Sequence, residues 1–385
     1  MDKKTVDNLT RESPLSIPVI LKAHYSSVPK EPAHFISEPS TVKSVSVYNF
    51  AVSTAEQEGR SFVDWNRTTA LQKEEVMRSP EKFFVFADIR ASETDIGEMR
   101  LQEMNNGKSF ITYKYNILFI ALSHKDAKGI LFFDEMNLAP NMIKAQFYKI
   151  INDHCIGDIP ISTGVMCVSA GNEAEHARGV TEDPVPLVLR RGNYFLRPLS
   201  ADEYVDYAVI VGQHPWITGY LKFESHNVHK IDYDSHIGAG QPCPRTWTKL
   251  SNIMLSNKNL SDAELGMIAR GLVGQATAIK FMSYCKMARK VEIEDILKHP
   301  EKMEDFREDA SMTYAILAAG LEKLRTDKKR SEDLFSLTLH MREEFAAFTL
   351  KQIKNVLGQA AMSRAVGESK VFKEVAGRYQ KYFLE

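Results

Sequence analysis

Short apolar runs that end in polar residues recur along the first half of the chain. They predict buried strands at residues 35–36, 61–65, 83–88, 129–133, 164–170 and 194–196. One intervening segment, Asn141–Asp153, instead repeats its apolar residues at helical spacing, on or near one face: Met142, Ile143, Phe147, Ile150 and Ile151. Strands that alternate with helical segments favour a parallel sheet with helices on both faces.

The character of the sequence changes near residue 202. Beyond it, segments such as 262–288 and 332–357 have helical patterns, and strand signals are few. Before the first strand, residues 1–33 combine a predicted helix with a proline-broken segment. We therefore expect an α/β fold in two domains: an αβα core at 1–200 with a helical extension at 1–33, and a helical region at 201–385.

Composition narrows the class of protein without naming a function. The chain has 385 residues, 44% of them apolar and 26% charged, which is typical of a soluble globular protein with a sizeable core. Its 49 basic and 50 acidic residues give a net charge of −1, so no overall basic excess indicates a nucleic-acid partner. No apolar run reaches the roughly 20 residues of a membrane span, and the amino terminus lacks a hydrophobic leader. We expect a cytoplasmic protein with no membrane partner.

The four cysteines support the same expectation. Cys155, Cys167, Cys243 and Cys285 are scattered and form no CxxC pair. Reduced thiols are therefore expected rather than disulfides or a cysteine-ligated metal site.

Residues 129–140, GILFFDEMNLAP, are the most informative stretch for chemistry. Four apolar residues run directly into Asp134 and Glu135, so both acids fall at the carboxyl end of a strand, where open α/β sheets bind their ligands. One acid there can hold a hydrated magnesium ion, and the next can orient water for attack on phosphate. The stretch therefore predicts a Walker B arrangement and a nucleoside triphosphate as ligand.

A candidate phosphate loop lies earlier, at residues 37–44, SEPSTVKS. Against the pattern GxxxxGK[ST], Lys43 and Ser44 match, whereas Ser37 and Val42 stand at the glycine positions. The β-branched Val42 should resist the positive φ that glycine permits. The predicted nucleotide contacts are Ser37, Glu38, Pro39, Ser40, Thr41, Val42, Lys43, Ser44 and Val45. Two interpretations stay open: a loop that binds nucleotide, and a vestigial turn that keeps the shape alone.

Four further polar residues follow predicted elements in suggestive places. Asn172 follows the strand predicted at 164–170 and could hold the attacking water or the γ-phosphate; the alternative is an ordinary Asx turn. Arg190 and Arg191 could offer a guanidinium to a neighbouring subunit's γ-phosphate; the alternative is a pair of surface salt bridges. Arg245 falls in the first turn of a predicted helix, where a cation is slightly unfavourable. That position hints at an anion such as phosphate, and the alternative is a solvated arginine.

Taken in order, these segments resemble the MoxR-type AAA+ ATPases of bacteria and phages. The resemblance covers about residues 30–385, and it rests on FFVFADIRASETDIGEMR, GILFFDEMNLAPNMIKAQFYKIIND, VSAGNE, PVPLVLRRG and CPRTW. It implies a P-loop NTPase core with a parallel αβα sheet, followed by a helical lid. It also implies ATP and Mg²⁺ as cofactors, a homo-oligomeric ring, commonly a hexamer, and chaperone-like remodelling of a protein client. Such a client is often a von Willebrand factor A-domain protein.

Carried over by position, the resemblance assigns a role to each candidate residue. Lys43 resembles the phosphate-loop lysine, Ser44 and Asp134 the magnesium ligands, and Glu135 the water-activating acid. Asn172 resembles sensor 1, Arg190 or Arg191 the trans-acting finger, and Arg245 sensor 2.

The sequence also departs from the family pattern. Glycine is absent at Ser37, Ser40 and Val42, and Leu189 replaces a small polar residue before the finger. The first departure bears on nucleotide affinity, and the second on which arginine is the finger.

Three functional hypotheses remain. The first is an ATPase that remodels a protein partner, and the second is a ring that assembles as a scaffold without turnover. The third is a nucleic-acid motor, for which residues 98–114, with Arg100, Lys108 and Lys114, are the candidate pore loop.

Overall fold

The structure is a computed structural model, and it describes residues 11–103, 112–173, 183–233 and 239–379. The chain divides into two compact units, Met1–Pro198 and Leu199–Glu385. We call them the sheet unit and the helical unit.

The sheet unit contains ten described strands. They are β1 (Ala33–Ser37), β2 (Ser61–Asp64), β3 (Phe83–Arg90), β4 (Arg100–Glu103), β5 (Thr112–Tyr115), β6 (Lys128–Asp134), β7 (Cys155–Ile156), β8 (Ile159–Pro160), β9 (Val165–Asn172) and β10 (Gly192–Phe195). Six of them form a parallel sheet in the order β10-β1-β9-β6-β3-β2. The predicted parallel sheet is therefore confirmed.

Strand register brings three predicted site residues to one edge of this sheet. Ser37, the last residue of β1, pairs with Asn172, the last residue of β9. Asp134 ends β6 and pairs with Arg90 of β3. Since all six strands are parallel, their carboxyl ends share this edge, where ligands of open α/β sheets bind.

Seven α-helices of the sheet unit are described. They are α1 (Ile17–Ser26), α2 (Lys43–Gln57), α3 (Ala70–Arg78), α4 (Ile96–Met99), α5 (Ile117–Leu122), α6 (Asn141–Asp153) and α7 (Val185–Val188). Helix α6 has the predicted bounds, because its apolar residues keep a helical period throughout. Met142 is an exception to its predicted face: it is exposed, and Lys144 is buried in the helix instead.

Alternate residues of the strands pack into two apolar layers. Phe132 faces a layer with α1 and α2, and Phe133 faces the opposite layer with α5 and α6. Both phenylalanines are fully buried. An apolar run without alternation is what a strand covered on both faces requires.

The helical unit contains eleven described α-helices. They are α8 (Ala201–Ile210), α9 (Pro215–Phe223), α10 (Pro244–Ser256), α11 (Asp262–Val273), α12 (Gln275–Ala288), α13 (Ile293–Lys298), α14 (Ala310–Thr326), α15 (Ser331–Thr338), α16 (Glu343–Leu357), α17 (Gln359–Glu368) and α18 (Lys370–Arg378). Gly274, at φ 79°, separates α11 from α12. A Cβ there would lie 2.6 Å from the carbonyl oxygen of Gly240, so the break requires glycine.

Two small hairpins lie outside the main sheet. Strands β4 and β5 pair antiparallel, as do β7 and β8. The sequence Asn105-Asn106-Gly107-Lys108, which is typical of a hairpin turn, lies outside the described residues. None of the helices in the described part of the chain is both long and apolar enough to cross a membrane.

Candidate nucleotide site

The loop between β1 and α2 has the backbone shape that glycines usually provide. Ser40 has φ 66° and Val42 has φ 58°, both in the left-handed region. These are two of the positions where the family resemblance expects glycine. A non-glycine residue held there costs about 1–3 kcal/mol. Val42 has this conformation although its branched Cβ resists it, so the loop keeps the shape and carries the strain.

Lys43 points its ammonium group into this loop. Its side chain is largely buried, at 7% exposure. Nζ lies 2.5 Å from Oγ of Ser37 and 3.4 Å from the carbonyl oxygen of Glu38. It also lies 3.3 Å from Oδ1 of Asn172 on β9. The lysine therefore stands between the loop and the tip of the neighbouring strand.

Hydroxyl groups close the base of the loop. Oγ1 of Thr41 donates to the carbonyl oxygen of Glu38 at 3.0 Å and is hydrogen-bonded to Oγ of Ser37. Pro39 lies between these residues and is half-buried, and Val45 is exposed on the first turn of α2. These hydrogen bonds hold the loop in its curved shape.

Ser44 and Asp134 are brought into direct contact. Oγ of Ser44 donates to Oδ2 of Asp134 at 2.7 Å, and Oδ1 of Asp134 accepts from the backbone N–H of Glu135 at 2.9 Å. A hydroxyl beside a carboxylate is an oxygen donor pair of the kind that hydrated Mg²⁺ uses. Across the described ranges, no three His, Cys, Asp or Glu side chains form a metal-binding group. With two protein oxygens, the pair would leave the other positions of a six-coordinate Mg²⁺ to water and phosphate.

Glu135 is held by a residue that the sequence did not single out. Its backbone is left-handed, at φ 54°. Oε2 accepts a hydrogen bond from Oγ of Ser92 at 2.6 Å. Ser92 follows the end of β3 and lies within FFVFADIRASETDIGEMR, but the resemblance assigns it no role, so only the three-dimensional structure reveals the contact.

A further carboxylate, on β3, shares the negative potential of this edge. Burial, and next the charge of Asp134, raise the pKa of Asp88 to about 6. Oδ1 of Asp88 is buried and has no hydrogen-bond partner among the described residues. The side chain borders a cavity of about 640 Å³ whose lining includes Asp64, Trp65 and Arg90.

Asn172 occupies the predicted sensor position, and Asn137 fixes its backbone. Nδ2 of Asn137 donates to the carbonyl oxygen of Asn172, and Oδ1 of Asn137 accepts from the N–H of Asn172 at 3.1 Å. The next residue, Glu173, pairs with Arg11 through two hydrogen bonds of 2.5 and 3.1 Å. The side chain of Asn172 therefore accepts a hydrogen bond from Lys43, while its main chain is hydrogen-bonded to Asn137, which follows β6.

The two adjacent arginines have different surroundings. The side chain of Arg191 is 1% exposed and ion-pairs with Asp183, which also binds Lys144 at 3.0 Å. Burial lowers the pKa of Arg191, and Asp183 opposes that shift. Arg190 is exposed, and its guanidinium lies 5.3 Å from the ring centroid of Tyr148. Of the two, Arg190 is the one whose side chain is at the surface.

Arg245 belongs to the helical unit. It is the second residue of α10, in the predicted first turn, and its side chain is exposed. Thr246 helps to cap the amino terminus of this helix, because its Oγ1 accepts a hydrogen bond from the N–H of Cys243 at 3.0 Å.

The candidate pore loop, 98–114, is described only at its two ends. The guanidinium of Arg100 lies 4.8 Å from the ring centroid of Tyr113, and Lys114 is exposed on β5. Lys108 lies outside the described residues.

Together, the strand order, the loop after β1 and the helical unit that follows define the fold class. It is an α/β fold with a parallel sheet covered by helices on both faces, followed by a helical region, as predicted.

No family model and no curated protein matches this sequence. Among solved structures, PCH-2 of C. elegans is 10% identical with a TM-score of 0.32, and the similarity covers 72% of this chain and 69% of that chain. A RuvB mutant of Thermotoga maritima is 11% identical with a TM-score of 0.29, covering 84% of each chain. The ORC2 protein of Aeropyrum pernix is 10% identical with a TM-score of 0.30, covering 95% and 99%. These scores are too low to support an inference about activity.

Proposed function

We propose that this chain is a MoxR-type AAA+ ATPase, which binds ATP with Mg²⁺ and hydrolyses it in an oligomeric ring to remodel a protein partner. One observation carries the proposal: Oγ of Ser44 lies 2.7 Å from Oδ2 of Asp134. The two residues come from the phosphate loop and from the Walker B strand. Their contact supports a nucleotide site built from these two elements.

Each residue at the edge of the sheet has a chemical task in this proposal. Lys43 offers its ammonium to the β- and γ-phosphates, and the loop N–H groups add further donors. Ser44 and Asp134 would hold Mg²⁺, which neutralises phosphate charge when bound. Glu135 orients the attacking water and accepts its proton, and Asn172 holds the γ-phosphate or that water.

Arginines complete the proposed site. Arg190 is exposed and so can reach the γ-phosphate of a neighbouring copy, where a guanidinium stabilises transition-state charge. Arg191 instead anchors the segment that carries Arg190, through its buried contact with Asp183. Arg245 would act as sensor 2 on the helical unit. A finger supplied by a neighbour implies a ring, and the family resemblance suggests a hexamer.

The client is the least defined part of the proposal. The family resemblance suggests a protein, and a von Willebrand factor A-domain protein is one candidate. The β4–β5 hairpin offers two exposed apolar side chains, Leu101 and Tyr113, which suit contact with a protein chain.

A scaffold without turnover is the second candidate, and the loop itself favours it. Ser40 and Val42 hold strained conformations, and Glu38 adds an acidic residue beside the phosphate position. Strain and like charge both weaken triphosphate binding.

A nucleotide titration separates the two candidates. Purified protein is titrated with a fluorescent ATP analogue and Mg²⁺, beside Lys43→Ala and a surface control, Lys22→Ala. Nanomolar to micromolar binding that Lys43→Ala abolishes and Lys22→Ala leaves intact supports the ATPase. No binding at millimolar nucleotide would leave the scaffold.

A further inference from the structure

A carboxamide from the Walker B turn is hydrogen-bonded to both backbone groups of the sensor residue. Asn137 lies in the short 3₁₀ turn Met136–Leu138, just after β6. Its Oδ1 accepts from the N–H of Asn172 at 3.1 Å, and its Nδ2 donates to the carbonyl oxygen of the same residue. Asn137 is 8% exposed, so little water competes for these bonds.

The residue before the sensor leaves room for this contact. A Cβ on Gly171 would lie 2.9 Å from both Cγ and Oδ1 of Asn137. Any side chain at position 171 would therefore push the carboxamide away from β9. Glycine and asparagine fit together as a matched pair, although they are far apart in sequence.

The contact joins the two halves of the proposed site. Asn137 is two residues beyond Glu135, and Oδ1 of Asn172 accepts from Nζ of Lys43 at 3.3 Å. The main chain of Asn172 is hydrogen-bonded at both its N–H and its carbonyl group, so the side chain of Asn172 has little freedom to shift.

We propose that Asn137 is a positioning residue, which sets the carboxamide of Asn172 against the γ-phosphate in register with Glu135. The inference rests on the proposed ATPase function. Asn137 itself touches no phosphate in this account. Its loss should therefore slow the chemical step and leave nucleotide affinity largely intact.

The fold supplies a matched control for this role. Asn66, in the 3₁₀ turn Trp65–Arg67 after β2, makes the same two contacts with Asp88 of β3. Its Nδ2 donates to the carbonyl oxygen of Asp88 at 2.8 Å, and its Oδ1 accepts from the N–H at 3.0 Å. Asn66 therefore fixes the main chain in the same way two residues before the end of β3, a strand that carries no sensor residue.

The test compares Asn137→Ala, Gly171→Ala and Asn66→Ala with wild type and Glu135→Gln. ATP affinity, kcat at saturating ATP and the thermal midpoint are measured for each, with kcat taken well below the lowest midpoint. Asn137→Ala and Gly171→Ala should lower kcat by about 10- to 100-fold, the scale of a misplaced catalytic group. Their affinities should stay within about threefold, and Asn66→Ala should keep kcat within about twofold.

Two results would overturn the inference, and a third would contradict the function on which it rests. Asn137→Ala with wild-type kcat removes the positioning role, whereas an equal loss in Asn66→Ala reduces the effect to general destabilisation. A wild type that never hydrolyses ATP contradicts the proposed function itself. A wild type that turns over, with Glu135→Gln inactive and Asn137→Ala normal, contradicts only the inference.

Discussion

Replacing Asp88 with asparagine should stabilise the sheet unit at neutral pH. The carboxylate of Asp88 is partly desolvated, borders Asp134, and has one buried oxygen without a partner among the described residues. Its ionised form is therefore disfavoured in the folded protein and fully hydrated in the unfolded chain. Asparagine has a similar shape and removes the charge.

The sign and size of the effect follow from the pKa of Asp88, which rises from 3.8 to about 6 on folding. A raised carboxyl pKa means that the folded state holds the proton more tightly, so wild type loses stability as pH rises between these values. Above about pH 6 the wild-type protein keeps this full loss of stability. At 1.36 kcal/mol for each pKa unit, Asp88→Asn gains about 1.6 kcal/mol at pH 5 and about 3 kcal/mol at pH 8. Partial exposure of the side chain makes these upper limits.

Thermal and denaturant unfolding at pH 5, 6, 7 and 8 measures this difference. For a unit of this size, about 1 kcal/mol corresponds to roughly 2–4 °C in Tm. Asp64→Ala is the control on the same cavity wall, since Asp64 accepts from the N–H of Asn66 at 3.2 Å and the loss of this cap should destabilise. An Asp88→Asn protein no more stable than wild type at pH 8, or a difference that does not grow with pH, would refute the reasoning.

Three further substitutions test separate parts of the account. Ser40→Gly should raise stability by about 0.5–1 kcal/mol, because relief of left-handed strain exceeds the entropy cost of glycine; an unchanged or lower thermal midpoint would contradict the strained loop. Asp183→Asn should lower the free energy of unfolding by about 3–5 kcal/mol, because it removes the negative charge that faces the buried Lys144 and Arg191. Denaturant unfolding measures this loss, and a loss below about 1 kcal/mol would contradict the importance of the buried ion pairs. Arg190→Ala should keep stability within about 0.5 kcal/mol and lower phosphate release at least about 10³-fold. Mixing it with Glu135→Gln should restore part of that release, and no recovery would contradict a finger supplied in trans.

Local patterns were enough to predict the sheet and to place Asp134 and Glu135 at the end of one of its strands. A continuous apolar run into Asp134 and Glu135 can satisfy burial on both faces only as a central strand, and β6 runs from Lys128 to Asp134. The bounds of α6 were predicted for a similar reason, because its apolar period persists to Asp153. Such signals lie within a few residues of one another, so the sequence displays them directly.

The remaining contacts depend on pairs that are distant in sequence. Ser92 meets Glu135 across 43 positions, and Asn137 meets Asn172 across 35. Ser92 lies in the segment FFVFADIRASETDIGEMR, but no motif spacing links it to Glu135. Asn137 stood inside the recognised DEMNLAP segment, yet its partner is fixed only by the register of β6 against β9. Long-range geometry of this kind cannot be deduced from local patterns.

The sequence did not reveal the different surroundings of the two arginines either, because these also depend on residues distant in sequence. Arg190 and Arg191 are adjacent, and local sequence offers no basis for choosing between them. The choice depends on Asp183 and Lys144, which form a buried ion pair with a 3.0 Å separation. Lys144 interrupts the apolar face of α6, and that interruption is the one signal that could have indicated a buried partner.

The most direct test of the account is steady-state phosphate release by the purified protein, compared with Glu135→Gln under saturating ATP and Mg²⁺. We predict that wild type releases phosphate continuously, whereas Glu135→Gln binds ATP with similar affinity and turns over at least about a hundredfold more slowly. Equal rates in the two proteins, or no release by wild type, would contradict a hydrolytic site built around the Ser44–Asp134 contact.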